Sequence, residues 1–172
     1  KLQTVIEINA KVETNNVLDF VQMCEAKHNR MLVELGNNIE QDIENIRLIA
    51  IAGPSSSGKT TFCNRVRIEL LSRGINPVMI SMDDYYLEKE KISEIQNKPI
   101  DQLDLEHINC LDVDLFNKDL YDLINGEEVT LPRFNFQTGK REVGRTIKVD
   151  SNSPIMIEGI HALNEKLTAS IP

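Results

Sequence analysis

The sequence predicts an α/β fold with a mainly parallel sheet, and three observations carry that prediction. Residues 46–52 (IRLIAIA) are apolar on both faces, as a central parallel strand is when helices cover both sides. Two more short apolar runs follow, at 78–81 and 154–157. Helically spaced segments separate the three runs, and strands alternating with helices specify a layered α/β domain.

In chain order, residues 4–8 (TVIEI) alternate like a short strand. Asn15 or Asn16 is positioned to cap a helix through Val17, Leu18, Val21 and Cys24, ending near His28. Residues 31–35 lead to a turn at Gly36, Asn37 and Asn38, after which Ile39, Ile43 and Ile46 suggest a short helix or connector. The pattern changes near residue 44, which divides the chain into a connector of strand plus helices, 1–44, and a second unit, 45–172.

Past the first buried strand, residues 53–60 read as a loop. Phe62, Val66 and Leu70 then form one helical stripe flanked by Cys63 and Leu71, with Gly74 as the C′ residue. The strand at 78–81 runs into the polar Asp83 and Asp84 and the rings of Tyr85 and Tyr86. Residues 87–98 are charged and weakly patterned, either helix or mobile loop. Asp112 is positioned to cap a helix with Leu115, Phe116, Leu120, Leu123 and Ile124 inward and Gly126 at its end. Residues 129–136 and 143–149 alternate around 137–140, the pattern of a hairpin in which Pro132 belongs on an edge.

Charge and cysteine usage narrow the partners. The 172 residues carry 27 acidic and 19 basic side chains, a formal net charge of −8. That balance argues against a duplex nucleic-acid binder, which needs a basic face, but not against a small anion held by backbone N–H groups. Cys24, Cys63 and Cys110 are odd in number and show no metal-ligand spacing, so free thiols in a reducing cytoplasm are expected. No apolar run reaches membrane-spanning length, and residues 1–10 alternate around Glu7 instead of forming a secretory h-region, so no membrane partner is expected. Beginning on Lys1, the chain is expected to be a fragment or a processed product.

The chemistry is concentrated in one octapeptide. Gly53, Pro54, Ser55, Ser56, Ser57, Gly58, Lys59 and Thr60 satisfy GxxxxGK[ST], with Thr61 following, between a buried strand and an amphipathic helix. Such a loop turns successive N–H groups onto phosphate oxygens, and the helix N-terminus adds positive potential. Lys59 then neutralises the outer phosphates while the Thr60 hydroxyl reaches Mg²⁺, so ATP and Mg²⁺ are the expected ligands. Metal and water need further acids at strand ends. Glu158 closes the run at 154–157 and Asp83 follows the run at 78–81, where ligands collect in open α/β sheets. A guanine-reading NKxD motif is missing, since residues 117–120 read NKDL, and no DxxG switch follows the loop. Asp83 is suited in sequence to act as a base toward an acceptor hydroxyl.

These motifs together resemble the uridine kinase/phosphoribulokinase group of P-loop kinases: residues 53–61, 80–86 (ISMDDYY) and 155–163 (IMIEGIHAL), with 126–141 matching the hairpin over the acceptor. The runs from Glu158 (EGIHALNEKLT) and Cys110 (CLDVDLFN) are most similar to bacterial uridine kinase-like proteins fused to TGS and threonyl-tRNA-synthetase-like domains, in which residues 1–44 correspond to a connector. The resemblance covers about 46–172 and implies a three-layer α/β/α P-loop fold and ATP-dependent transfer to the 5′-hydroxyl of a nucleoside such as uridine. It implies Asp83 as base, Thr60, Asp83 and Glu158 around Mg²⁺, Tyr86 near the acceptor, and Glu106 on the ribose hydroxyls. Phe134 and Gly139 stand where pyrimidine-specific members carry a Tyr and a His; Phe134 can still stack on a base, but the hydrogen-bond reader is gone.

Two other readings stay open: a nucleotide-binding regulatory module without phosphotransfer, and a kinase for a non-nucleoside sugar. The basic run Arg133, Lys140, Arg141, Arg145 and Lys148 reads as a solvated hairpin face. His107 and His161 are candidates to stand near the acceptor and the strand-end loop, and Tyr85 and Tyr86 can equally be core rings. The family's lid and later strands lie outside the sequence. The fold is therefore expected to be cut short at the C-terminus, and the isolated chain to be inactive and, through an open sheet edge, self-associating.

Overall fold

The computed structural model describes residues 4–13 and 17–167. In chain order these form α1 (Val5–Glu13), α2 (Val17–Gln41), β1 (Leu48–Ala52), α3 (Lys59–Ser72), β2 (Val78–Ser81), α4 (Lys89–Gln96), α5 (Val113–Ile124), β3 (Glu128–Asn135), β4 (Lys140–Lys148) and β5 (Ile155–Gly159), with a short 3-10 turn at Met82–Tyr85. β5 lies between β1 and β2 and pairs parallel with both. The register sets Ile51 and Ser81 on either side of Glu158, so three strands end together.

Alternation along β5 divides the core. Ile155 and Ile157 face one way, into a cluster with Phe116, Leu120 and Leu123 of α5. Met156 faces the other way, among Cys63, Val66 and Leu70 of α3 and Leu32 and Ile39 of α2. Helix, sheet and helix thus form the expected three layers, and all five β5 residues are buried. The three cysteines are free thiols. No helix among the described residues is long and apolar enough to cross a membrane.

Helix ends follow local chemistry. Asp112 caps α5, its side chain accepting from Leu115 N–H at 3.2 Å. Past α3, Gly74 N–H bonds Leu71 O and Ile75 N–H bonds Leu70 O, each at 3.0 Å. That pair is a Schellman stop, sealed by the buried Leu70 and Ile75. Residues 87–98, read as helix or mobile loop, contain α4. β3 and β4 form the expected antiparallel hairpin, with an irregularity between Thr130 and Pro132. At its tip the Asn135 side chain accepts from Gln137 and Thr138 N–H at 3.1 and 3.2 Å.

The amino-terminal region departs from expectation. Residues 4–8 belong to a helical start and not to a strand. Thr4 N–H donates to Glu7 Oε2 at 2.9 Å and Glu7 N–H to Thr4 Oγ1 at 3.3 Å, a reciprocal capping box that outweighs the alternating pattern. The helix expected to stop near His28 continues to Gln41, through the expected turn at Gly36. A Cβ at residue 36 would stand 2.6 Å from Arg73 Nε and 2.8 Å from Glu69 Cγ, so this glycine lets α2 lie close on α3. Arg73 bonds Glu69, Glu40 and Val33 O there, a tertiary contact that overrides weak helix propensity. The proposed cap at Asn15 or Asn16 lies outside the described residues.

Candidate functional site

The loop after β1 is shaped by two left-handed residues, Ser56 at φ 58° and Gly58 at φ 82°. Ser57 N–H donates to Pro54 O at 3.3 Å to close the first turn. A Cβ on Gly53 would come within 2.8 Å of Ser57 Oγ, so the loop closes tightly on that position. Gly58 is the N-cap of α3 and supplies no side-chain cap, which leaves the first N–H groups of the helix for a ligand. Pro54, Ser55, Ser56, Ser57, Gly58, Thr60 and Thr61 are exposed, and Gly53 and Lys59 half-buried. Ser57, Gly58, Lys59 and Thr61 open onto a cavity of about 720 Å³ beside β1.

The acids converge on this loop. Thr60 Oγ1 donates toward the Glu158 carboxylate, 2.9 Å from Oε2 and 3.1 Å from Oε1, although 98 residues separate them. Asp83 stands in the turn after β2, its N–H bonded to Ser81 Oγ at 3.3 Å. Burial pushes the Asp83 carboxyl above the usual aspartate range; Lys59 pulls it down, and Glu158 and Asp84 push it up again. Lys59, Asp83 and Glu158 therefore share one field at the strand ends.

These donors suit a magnesium ion that arrives with phosphate. Mg²⁺ takes oxygen ligands and is commonly held by one or two carboxylates plus substrate phosphates. A hydroxyl, a buried carboxylate and a neighbouring aspartate meet that description. The described residues hold no group of three or more His, Cys, Asp or Glu able to bind a metal alone.

The acceptor-side candidates come from three separate stretches. Tyr86 and the buried Phe134 pack tilted by 44° with ring centroids 5.7 Å apart, and the exposed Phe136 completes a trio at 5.8 and 4.9 Å from them. Tyr86 OH donates to Leu105 O at 2.9 Å. Burial, followed by the charge of Asp83, pushes that phenol up to about 12. Glu106 is exposed next to this group, and its carbonyl accepts from His161 Nε2 at 2.8 Å. His107 Nδ1 accepts from Asn109 N–H at 3.1 Å, a local turn contact.

Several participants were not singled out by the sequence. Asp119 is 3% exposed and accepts from the buried Tyr85 hydroxyl at 3.1 Å. The signal was present: Asp119 lies three residues after Phe116 and four before Leu123, a charge inside an apolar stripe. Asp84 Oδ1 accepts from Phe134 N–H at 3.3 Å. Arg141 is half-buried and bonded at both terminal nitrogens, unlike the exposed Arg133, Lys140, Arg145 and Lys148.

Comparison with known proteins agrees with this geometry. The profile of the Phosphoribulokinase / Uridine kinase family matches residues 48–171. The chain is 35% identical over 129 residues to the inorganic pyrophosphatase TTM2 of Arabidopsis thaliana, covering 75% of this chain and 17% of that protein. It is 28% identical over 124 residues to the uridine kinase of Ureaplasma parvum, covering 72% of this chain and 58% of the relative. Both relatives are thus much longer than the matched stretch. In fold, a structure described as a possible uridine kinase from Bacillus stearothermophilus superposes with a TM-score of 0.64 at 23% identity, covering 83% of this chain and 77% of that one.

Proposed function

The chain belongs to the phosphoribulokinase/uridine kinase family, and on that premise we propose that it transfers a phosphoryl group from ATP to a hydroxyl of a small molecule, foremost the 5′-hydroxyl of a nucleoside such as uridine. The observation that carries this reading is the meeting of the phosphate loop, the Thr60–Glu158 pair and Asp83 at the ends of three parallel strands. In it, the N–H groups of 53–60 and Lys59 hold the phosphates. Thr60 and Glu158 would hold Mg²⁺, with Asp83 beside it directly or through water; the ion, when bound, neutralises phosphate charge. Asp83 takes the proton of the acceptor hydroxyl as the hydroxyl oxygen bonds to the γ-phosphorus and the bridging P–O bond breaks to release ADP. With no ion bound, burial holds its carboxyl above the usual aspartate range, and a bound cation would draw it back down. Positioning and charge stabilisation supply the rest.

The half-buried Tyr86, backed by the buried Phe134, offers a ring face for a base, and Glu106 an acceptor for ribose hydroxyls. The name of the Ureaplasma relative supports a nucleoside acceptor. Phe134 and Gly139 bring no hydrogen-bonding side chain to the base, which supports a tolerant acceptor pocket. A second reading is a nucleotide-binding module without phosphotransfer, favoured by those same two positions and by the Arabidopsis relative's name, which is not a kinase's. Residues 1–44 act in either reading as a connector to synthetase-like domains of a longer cytoplasmic protein, and 45–172 as the nucleotide-binding unit, onto which α2 packs.

The test is a panel of nucleosides and sugars incubated with full-length protein, Mg²⁺ and γ-labelled ATP. Labelled nucleoside monophosphate is the expected product. ATP binding without any labelled acceptor favours the second reading, and failure to bind ATP removes both.

A further inference from the structure

The turn at Met82–Tyr85, which presents Asp83, is gripped from two sides. On the core side, the Tyr85 hydroxyl donates to Asp119 of α5 at 3.1 Å. Both groups are buried, Tyr85 in the core cluster that Val129 and Leu131 of the hairpin share, so this anchor fixes the turn from the interior. On the other side stands Arg141 of β4. Its Nη1 donates to Asp112 Oδ2 at 2.9 Å, and its Nη2 to the carbonyls of Tyr85 and Tyr86, each at 3.2 Å. Arg141 Nε is buried with no hydrogen-bond partner among the described residues, so the two terminal nitrogens do the holding. Asp112 N–H in turn donates to Tyr85 O at 2.9 Å. One guanidinium thus ties the hairpin, the start of α5 and the backbone two and three residues beyond Asp83.

The register gives this tie a direction. Arg141 is the cross-strand partner of Phe134, whose ring packs on Tyr86 and whose N–H bonds Asp84. Phe134 is itself buried, so a molecule seated on this aromatic group meets the half-buried Tyr86 and the exposed Phe136, and Tyr86 is a residue whose carbonyl Arg141 holds. We infer that Arg141 is a positioning residue that couples seating of the acceptor on the hairpin to the placement of Asp83. The inference rests on the kinase reading above. A planar fork is required, because three acceptors on two chain segments are engaged at once; a lysine ammonium has neither the shape nor the reach.

Arg141→Gln and Arg141→Lys in the full-length protein test it, by hydrogen exchange and by kinetics. In both variants exchange at 83–87 accelerates about tenfold or more while 59–72 is unchanged, since the opening is local. ATP affinity stays within about twofold, and kcat with the best acceptor falls about 10–100-fold, the scale of a small misplacement. Lysine does not rescue either readout. Unchanged exchange at 83–87 overturns the inference whatever the activity, and faster exchange along 59–72 as well overturns it by making Arg141 a general stabiliser. Faster exchange at 83–87 with unchanged kcat overturns the coupling. A parent protein that transfers no phosphate removes the kinase reading and the coupling with it; exchange then still decides whether Arg141 holds the turn.

Discussion

The phosphate side and the acceptor side of the site are made of different material. In the proposed function the phosphate side is eight consecutive residues recognising through backbone N–H groups and Lys59, between β1 behind and α3 ahead. The acceptor side draws on a turn after β2, the loop at 103–107, a hairpin and the start of α5, joined by side-chain bonds spanning 19 to 56 residues. A contiguous backbone device survives almost any change outside it. A discontinuous side-chain device can be retuned at one position without disturbing the rest. Exposed Glu106 is such a position, whereas Phe134 is buried against Tyr86 and Gly139 holds a left-handed φ of 69°.

Substitutions can break this contrast. The largest effect is expected from Asp83→Asn, which removes the base: turnover of the full-length protein falls by about 10²–10⁴ while ATP affinity, read by calorimetry, is retained. If ATP binding collapses in parallel, the two sides are not separable. The same residue sets a pH limit. Because its pKa is raised, the carboxylate of the ion-free protein protonates, on acidification, above the pH at which an ordinary aspartate does; carboxyl NMR titration should show this step, and the Asn variant should lack it.

Lys59→Ala acts on the opposite side and weakens ATP binding itself, by about 10–100-fold, through loss of a charge-assisted phosphate contact. Intact nucleotide affinity in this variant would break the assignment of the loop. A smaller effect is expected at Asp119, measured as stability. Asp119→Leu leaves the buried Tyr85 hydroxyl without a partner and costs about 1–3 kcal/mol in denaturant unfolding. Asp119→Asn keeps an acceptor for that hydroxyl. Burial raises the Asp119 pKa, so the folded state binds the proton more tightly and stability declines as pH rises from the ordinary aspartate value through the raised one. The Asn variant should lose that slope. Smallest in catalysis is Phe134→Ala, which raises the acceptor KM about 3–10-fold with the ATP KM unchanged; because the ring is buried, the same change also lowers stability, by about 3–5 kcal/mol.

Legibility followed the same divide. The strand at Val78–Ser81, the hairpin, the Asp112 cap and the Gly74 stop are readable because the apolar run, alternation and cap that mark each lie within a few residues, even where the paired strand is distant. The alternation at 4–8 misled because two signals compete within five residues, and the Thr4–Glu7 capping box wins. The break expected at Gly36 misled for the opposite reason. A glycine that ends helices locally is kept inside α2 by the close approach of Arg73, thirty-seven positions away. Arg141 read as one solvated cation among five, since nothing local distinguishes it from Lys140 or Arg145.

By itself the sequence determined the layered α/β plan, the phosphate loop and the two strand-end acids. Apolar periodicity, caps and an octapeptide act over short separations, and backbone geometry follows from them directly. Only the tertiary structure decided that β5 runs between β1 and β2, which brings Glu158 to the Thr60 hydroxyl. It alone decided that α2 shares the core with α3, and that Asp119 and Arg141 grip the turn bearing Asp83. Each of these depends on which distant segments pack together, and strand order and side-chain partners are set by the burial of the whole chain, not by any window of it.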